Sequence, residues 1–127
     1  LTTVEIPNGI TSIPNCTFSA CKALVTVHIP DSVVLINQGA FWGCDSLTDV
    51  GLPKNLREIG KRVFRDCQQL ETIRIPDAVT RIGEEAFARC QNLAIVRLPE
   101  QAQLNIENGA FRGCPSLFRI QFSTLMP

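Results

Sequence analysis

The sequence has few of the residues from which most active sites are built. Its 127 residues include one histidine, one tryptophan, one methionine and no tyrosine. General acid–base and nucleophilic catalysis need converging titratable groups, usually with a histidine or an activated nucleophile. Motifs for phosphate binding, zinc-dependent hydrolysis and a nucleophile elbow are missing as well. We therefore predict that the chain is not an enzyme, and we expect no cofactor and no small-molecule substrate.

The balance of charge and the length of apolar runs argue against two further classes. Twelve basic and twelve acidic side chains cancel, so bulk electrostatics give no reason to expect nucleic acid or an anionic membrane as a partner. No run of about 18 apolar residues occurs, so we predict no membrane span. A signal-peptide pattern is also missing and the first residue is Leu1. From this we infer a processed chain or a segment of a longer one.

What the sequence does contain is one pattern repeated along its length. Leucine recurs every 23 residues from Leu1 to Leu93 and again at Leu117. Phenylalanine and cysteine follow in register, at Phe18, Phe41, Phe64, Phe87 and Phe111, and at Cys21, Cys44, Cys67, Cys90 and Cys114. The units are residues 1–23, 24–46, 47–69, 70–92 and 93–116, with a partial unit at 117–127. A fixed period of this length indicates a single solenoid domain over residues 1–127.

Written as a template, the unit reads L-x-x-V-x-I-P-x-x-V-x-x-I-G-x-x-A-F-x-x-C-x-x. This resembles the leucine-rich repeat, and more narrowly its BspA-like (Treponema-type) class, whose mark is an I-P turn followed by I-G-x-x-A-F-x-x-C. The resemblance covers the whole chain, and its departures are local, as at Pro14, Asn37 and Glu107 in the glycine column. It implies a leucine-rich-repeat arc, and proteins of this class are associated with binding host or matrix proteins.

The physical chemistry of one unit can be read without the family. In LTTVEIP, Val4 and Ile6 alternate with polar residues, which is the period-two signature of a half-buried strand. Proline then removes an amide donor and ends the strand. The V-x-x-I segment carries apolar side chains around a bend, and a glycine such as Gly83 permits a tight turn into a short helical piece. We predict an α/β repeat solenoid, with a parallel β-sheet on one face and short helical or irregular segments on the other.

Five of the six cysteines occupy one column of the repeat. Parallel thiols in a file do not aim their sulfurs at one another, and a linear file cannot surround a tetrahedral metal. We interpret the column as buried free thiols that pack as small hydrophobes, and we predict no metal site. Cys16 lies outside the column and is expected near the surface, either as an incidental residue or as a reactive or intermolecular thiol.

Strand positions that point outward do not repeat, which leaves them free to suit a partner. The candidate partner-binding residues on the sheet are Glu5, His28, Asp49, Glu71, Arg74, Arg97, Phe118 and Arg119. Arg74 and Arg97 are expected to stack about 5 Å apart, which like charges oppose unless an anionic or aromatic group relieves them. The alternative is that these arginines splay into water, as most surface charges do. His28 reads as an exposed polar strand residue.

A second candidate patch consists of Val34, Leu35 and Trp42, which replace polar or small residues of other units. Trp42 is interpreted either as an exposed interface anchor or as a ring that lies over side chains of the neighbouring unit.

Both ends of the chain read as apolar, whereas terminal repeats usually carry a polar cap. We therefore expect that at least one end is covered. The preferred hypothesis is a non-catalytic protein–protein interaction module, an accessory or scaffold subunit docked into a larger, multisubunit assembly. The alternative, implied by the resemblance, is the repeat region of a cell-surface adhesin or receptor that binds an extracellular protein. The compartment stays open between a reducing interior and the cell surface.

Overall fold

The protein is a solenoid whose successive turns stack on one another. The computed structural model describes residues 2–100 and 103–122. Its strands are β1 (Thr3–Glu5), β2 (Ser12–Ile13), β3 (Thr26–His28), β4 (Leu35–Ile36), β5 (Asp49–Gly51), β6 (Glu58–Ile59), β7 (Thr72–Arg74), β8 (Arg81–Ile82), β9 (Ile95–Leu98), β10 (Asn105–Ile106) and β11 (Arg119–Phe122). The strands pair in parallel, and each pair joins equivalent positions of successive units, such as Val4 and Val27. The predicted repeat solenoid is confirmed.

The first strand of each unit forms the predicted sheet, which we call the sheet face. Its strands pair in two groups of three, β1-β3-β5 and β7-β9-β11. Within the residues that the structure describes, no strand pairing joins β5 to β7. A cleft of about 370 Å³ opens at this interruption, lined by residues that include Gly51, Lys54 and Arg74. The sheet face is therefore divided between its third and fourth strands.

A second parallel sheet was not predicted. The V-x-x-I segment, expected to be a bend, contributes one two-residue strand per unit, and these pair in the order β2-β4-β6-β8-β10. Its isoleucine column is buried in four units, at Ile13, Ile36, Ile59 and Ile82. This sheet is continuous over five strands, so it links the two halves of the divided sheet face.

The predicted helical segments are wrong: the described part of the chain contains turns in their place and no helix. We call the third side of the solenoid, formed by residues 14–23, 37–46, 60–69, 83–92 and 107–116, the turn face. Two positions in each unit have positive φ there, namely Cys16 and Ala20, Gly39 and Gly43, Arg62 and Asp66, Glu85 and Arg89, and Gly109 and Gly113. A right-handed helix needs φ near about −60° at every residue, so a left-handed residue every fourth position stops it from forming.

Backbone hydrogen bonds on the turn face alternate between tight turns within a unit, such as Ser19 to Cys16, and bonds to the next unit. The amide of Phe18 donates to the carbonyl of Ala40 at 2.7 Å, and the amide of Phe64 donates to that of Ala86 at 2.7 Å. The amide and carbonyl groups are thereby satisfied by the neighbouring turn, as buried backbone requires. Each unit thus depends on the next one for its turn geometry.

The phenylalanine column forms a continuous ladder beneath the turn face. Neighbouring rings are stacked with centroids 5.2–5.4 Å apart and interplanar angles of 3–15°. Phe41, Phe64 and Phe87 are fully buried, and Phe18 and Phe111 at the two ends are partly buried. Large aromatic side chains dominate the energetics of such a core.

The cysteine column is buried in its middle three members, as predicted, and partly buried at Cys21 and Cys114. Each thiol from Cys44 onward donates to the carbonyl oxygen of the phenylalanine in the preceding unit. The Sγ–O distances are 3.2 Å for Cys44, 3.3 Å for Cys67, 3.1 Å for Cys90 and 3.1 Å for Cys114. Burial raises the pKa of Cys44 to about 11 and that of Cys67 further still. These thiols therefore act as structural hydrogen-bond donors between successive units.

The glycine column has a different role from the predicted tight turn. Gly60 and Gly83 do not have positive φ. A Cβ atom at Gly83 would lie 2.6 Å from the carbonyl carbon of Gly60, and one at Gly60 would lie 2.8 Å from the carbonyl oxygen of Ile36. Glycine is required here because the backbones of adjacent units approach closely.

Candidate functional site

The sheet face displays the outward residues in the register that the repeat predicts. Glu5 pairs with His28, and His28 with Gly51. Across the interruption, Arg74 pairs with Arg97, and Arg97 with Gln121. Glu5, His28 and Arg74 are exposed, whereas Arg97 is half-buried. Arg74 and Arg97 are direct partners on adjacent strands, as predicted, so their backbones lie at the usual spacing of about 4.8 Å.

The two halves of the sheet face carry opposite charge. The first three strands present Glu5 and Asp49, and the last three present Arg74, Arg97 and Arg119. Exposed Glu71 lies between them, one residue before β7. Within residues 2–100 and 103–122, none of these arginines forms an ion pair.

Phe118 provides an apolar side chain at the edge of the basic half. It is 70% exposed, more than any other large hydrophobic residue of the described chain. The guanidinium carbon of Arg119 lies 5.7 Å from the centre of its ring, within the range of a cation–π contact. Aromatic side chains, phenylalanine included, and arginine are both enriched at protein interfaces.

The Trp42 ring lies over side chains of the neighbouring unit, which is the second of the two arrangements predicted for it. The ring is half-buried on the turn face, and its Nε1 donates to Oδ2 of Asp66 in the next unit at 3.3 Å. The guanidinium groups of Arg62 and Arg65 lie 5.6 and 5.4 Å from its ring centre. The ring is therefore already engaged by its own chain.

Val34 and Leu35 lie apart from Trp42 in the fold. Leu35 belongs to β4 of the second sheet, and the amide of Val34 donates to the carbonyl of Thr11 there. Both side chains are half-buried. The predicted second patch is thus distributed over the second sheet and the turn face.

An ion-pair network that the sequence reading missed holds the turn face. We call it the turn-face network; its members are Trp42, Arg62, Arg65, Asp66, Glu85, Arg89 and Arg112. Three arginines converge on the Glu85 carboxylate, with N–O distances of 2.7 Å from Arg62, 3.0 Å from Arg65 and 3.6 Å from Arg112. Asp66 pairs with Arg89 at 3.3 Å. The hydrogen bond from Arg62 and the positive charge of its neighbours hold the pKa of Glu85 below its ordinary value.

The network spans four successive units and stands on strained backbone. Arg62, Asp66, Glu85 and Arg89 all have φ between 56° and 60°, a conformation that costs a non-glycine residue about 1 kcal/mol or more. The charged side chains at these positions are the ones that pair across units, so the contacts offset part of that strain.

A signal in the sequence could have revealed these pairs. Six of the ion pairs join residues one period of 23 apart, namely Lys22 and Asp45, Asp31 and Lys54, Glu58 and Arg81, Lys61 and Glu84, Arg62 and Glu85, and Asp66 and Arg89. In a solenoid, residues one period apart lie on neighbouring turns. Arg74 and Arg97 are also one period apart but have like charge.

The remaining candidate residues show no chemical centre. Cys16 is exposed as predicted, and its sulfur lies 3.8 Å from the carbonyl oxygen of Gln38. No group of three or more potential metal ligands occurs in the described ranges. In the same residues, no helix is long and apolar enough to cross a membrane.

Stacked parallel turns with a leucine, phenylalanine and cysteine ladder define a leucine-rich-repeat solenoid. The family model of the BspA type leucine-rich repeat region matches residues 1–118 in six copies. The chain belongs to this family.

Solved bacterial repeat proteins have the same fold. A leucine-rich cell surface protein from Faecalibacterium prausnitzii is 36% identical, with a TM-score of 0.89 over 95% of this chain and 32% of its own. A leucine-rich repeat protein from T. pallidum is 29% identical, with a TM-score of 0.83 over 94% of this chain and 68% of its own. One from Bacteroides ovatus is 30% identical, with a TM-score of 0.78 over 96% and 37%. The chain therefore spans about a third of two of these structures. Among curated proteins, none matches this chain.

Proposed function

We propose that this chain is a non-catalytic module that binds a protein partner through its sheet face. The observation that supports this most strongly is the contrast between paired and unpaired charge. Most charged side chains of the turn face form ion pairs with neighbouring units, whereas Arg74, Arg97 and Arg119 have none in the described chain. Unpaired arginines on a rigid sheet, next to an exposed aromatic ring, suit recognition better than folding.

The setting of the module is proposed to be the surface of a cell, as the repeat region of an adhesin or receptor. The support is the 36% identical structure, which is described as a leucine-rich cell surface protein. The cysteine column carries no weight against this setting, because its thiols are explained by their hydrogen bonds to phenylalanine carbonyls.

Docking into a larger assembly, the hypothesis preferred from the sequence, is the second candidate. The unpaired arginines of the sheet face, Arg74, Arg97 and Arg119 in the described chain, would serve a neighbouring subunit as well as an extracellular protein.

Crosslinking mass spectrometry of the native protein tests the proposed binding face. Lys54 lines the cleft beside Arg74, whereas Lys22 is on the turn face; their side chains are 77% and 69% exposed, so they react comparably with a crosslinker. We expect partner crosslinks from Lys54 to exceed those from Lys22. Partner crosslinks that come mainly from Lys22 would show that the turn face binds instead. A membrane-impermeant label on intact cells, with native size fractionation, separates the two settings.

A further inference from the structure

The opposite charges on the two halves of the sheet face restrict the chemistry that a partner would need. Resting on the proposed function, we propose that the basic half of the sheet face binds an acidic protein segment, in which carboxylates lie beside an apolar side chain. The residues that would hold it are Arg74, Arg97, Arg119 and Phe118.

The spacing of the arginines favours carboxylates. Arg74 and Arg97 are direct partners on adjacent strands, and Arg119 lies on the next strand, opposite Ile95. Each planar guanidinium offers paired donors that match a carboxylate in a bidentate geometry. Like charges on directly opposite residues of adjacent strands repel each other, so a carboxylate placed between them gains attraction from both and relieves that repulsion.

The surroundings of these arginines favour a protein segment over a uniform polyanion. Glu71 lies at the border of the basic half, and Asp49 and Glu5 lie across the interruption on the same face. A sulfated polysaccharide or a nucleic acid backbone laid along the sheet would meet these carboxylates and be repelled. The formal net charge of the chain is zero, so no general positive field attracts such polymers. A short segment with a few acidic residues fits the basic half without reaching the acidic half.

Phe118 supplies the apolar part of the site. Its ring is 70% exposed at the edge of the basic half, with the Arg119 guanidinium 5.7 Å from its centre. Apolar contact with this ring would exclude water from the neighbouring ion pairs, which strengthens them. The segment is therefore expected to carry an apolar side chain next to its acidic residues.

Selection of displayed random peptides on the chain at physiological salt tests this inference. The expected result is that peptides eluted by competition are enriched in aspartate and glutamate next to an apolar residue. The same selection is run on Arg74→Glu and Arg97→Glu variants. In either variant the new carboxylate lies opposite the remaining arginine and pairs with it, so neither position offers a free positive charge to the partner. We expect each variant to weaken a selected acidic peptide by about tenfold or more.

Arg57→Glu is the matched control. Arg57 is exposed, lies one residue before β6 of the second sheet and has no ion pair in the described part of the chain. Its reversal changes the net charge by the same amount and is expected to leave peptide binding within about twofold. Thermal melts confirm that each variant folds, and exposed Arg74 keeps the test open if Arg97→Glu does not fold.

The other outcomes of the selection would each contradict the inference, and they differ in whether the proposed function also fails. Selected peptides that compete at the sheet face but lack acidic residues would leave the proposed function standing and remove the acidic partner. Acidic peptides that bind equally well to Arg57→Glu, Arg74→Glu and Arg97→Glu would place binding elsewhere and contradict both proposals, as would failure to select any peptide. Tight binding of heparin that depends on Arg74 and Arg97 would indicate an anionic polysaccharide instead of a protein segment.

Discussion

Arginine side chains occupy two faces of the solenoid, and their surroundings differ. On the turn face, Arg62, Arg65 and Arg112 share one carboxylate, and two of them also lie over the Trp42 ring. On the sheet face, Arg74 and Arg97 are partners on adjacent strands and have no ion pair in the described residues. The first arrangement satisfies its charge inside the molecule and connects successive units. The second leaves its charge unpaired in the described residues, which is why we propose that one face supports stability and the other recognition.

The largest predicted effect tests whether the side chains beneath the turn face support the fold. Phe64 lies at the centre of the ring ladder beneath that face and is fully buried. Phe64→Ala removes its contacts with Phe41 and Phe87 and leaves a cavity. We expect the free energy of unfolding to fall by about 3–5 kcal/mol in urea denaturation. Phe18→Ala, at the partly buried end of the ladder, is the control with a smaller expected loss; equal losses would refute a continuous ladder.

The hub of the turn-face network is the next place to test the comparison. Glu85→Gln removes the charge on which Arg62, Arg65 and Arg112 converge, so we expect a measurable loss of unfolding free energy. Glu84→Gln is the matched control, because Glu84 pairs only with half-buried Lys61, at 3.3 Å, among the ion pairs described. A control variant as unstable as Glu85→Gln would show that the network has no special role.

The same carboxylate gives a pH dependence with a defined sign. The Arg62 hydrogen bond lowers the pKa of Glu85 in the folded chain below its ordinary value of 4.5. The unfolded state therefore binds a proton first, and this contribution to stability is complete above that value and lost as pH falls through the folded pKa. Wild type and Glu85→Gln should accordingly converge in stability in acid. A difference that stays constant as the pH falls would contradict the ion-pair account.

A smaller effect is expected from Trp42. Trp42→Leu removes the indole donor to Asp66 and the ring beneath Arg62 and Arg65. Partly exposed cation–π contacts contribute about 0.5–1 kcal/mol each, so we expect a loss of about 1–2 kcal/mol in urea denaturation. Binding of a selected acidic peptide should be unchanged, because the ring lies on the turn face. Lost binding in a stable Trp42→Leu variant would restore the interface-anchor interpretation.

The smallest effect on stability is expected on the sheet face. Arg74→Gln removes one of two stacked like charges and breaks no ion pair. We expect the free energy of unfolding to change by no more than about 0.5 kcal/mol, with a slight gain if repulsion is relieved. A loss comparable to that of Glu85→Gln would mean that Arg74 supports the fold.

The repeat columns predicted the interior well because packing constrains them identically in every unit. The strand register, the buried phenylalanines and the inward thiols all follow from residues that recur one period apart. The second sheet was missed because a two-residue strand such as Arg81–Ile82 is too short for an alternating pattern to show. The helical prediction failed because left-handed positions interrupt each segment. Gly39, Gly43, Gly109 and Gly113 occupy such left-handed positions, and these glycines were the signal in the sequence that could have indicated them.

The surface was less predictable because its contacts cross between units through turn geometry that the sequence reading lacked. The sequence left two interpretations of Trp42 open, an interface anchor or a ring over neighbouring side chains, and only the positions of Arg62, Arg65 and Asp66 separate them. Pairs one full period apart, such as Arg62 and Glu85, were accessible in principle. Contacts at other separations, such as Arg65 to Glu85, required the fold.

The most direct test of the division between the two faces measures stability and binding on the same pair of variants. Arg65→Gln removes a turn-face arginine that contacts Glu85 and Trp42, and Arg97→Gln removes a sheet-face arginine that has no ion pair in the described chain. Urea denaturation and titration with a selected acidic peptide are carried out on each. We predict that Arg65→Gln lowers stability and keeps binding, and that Arg97→Gln keeps stability and weakens binding. The opposite pattern, or loss of both properties in both variants, would contradict the account.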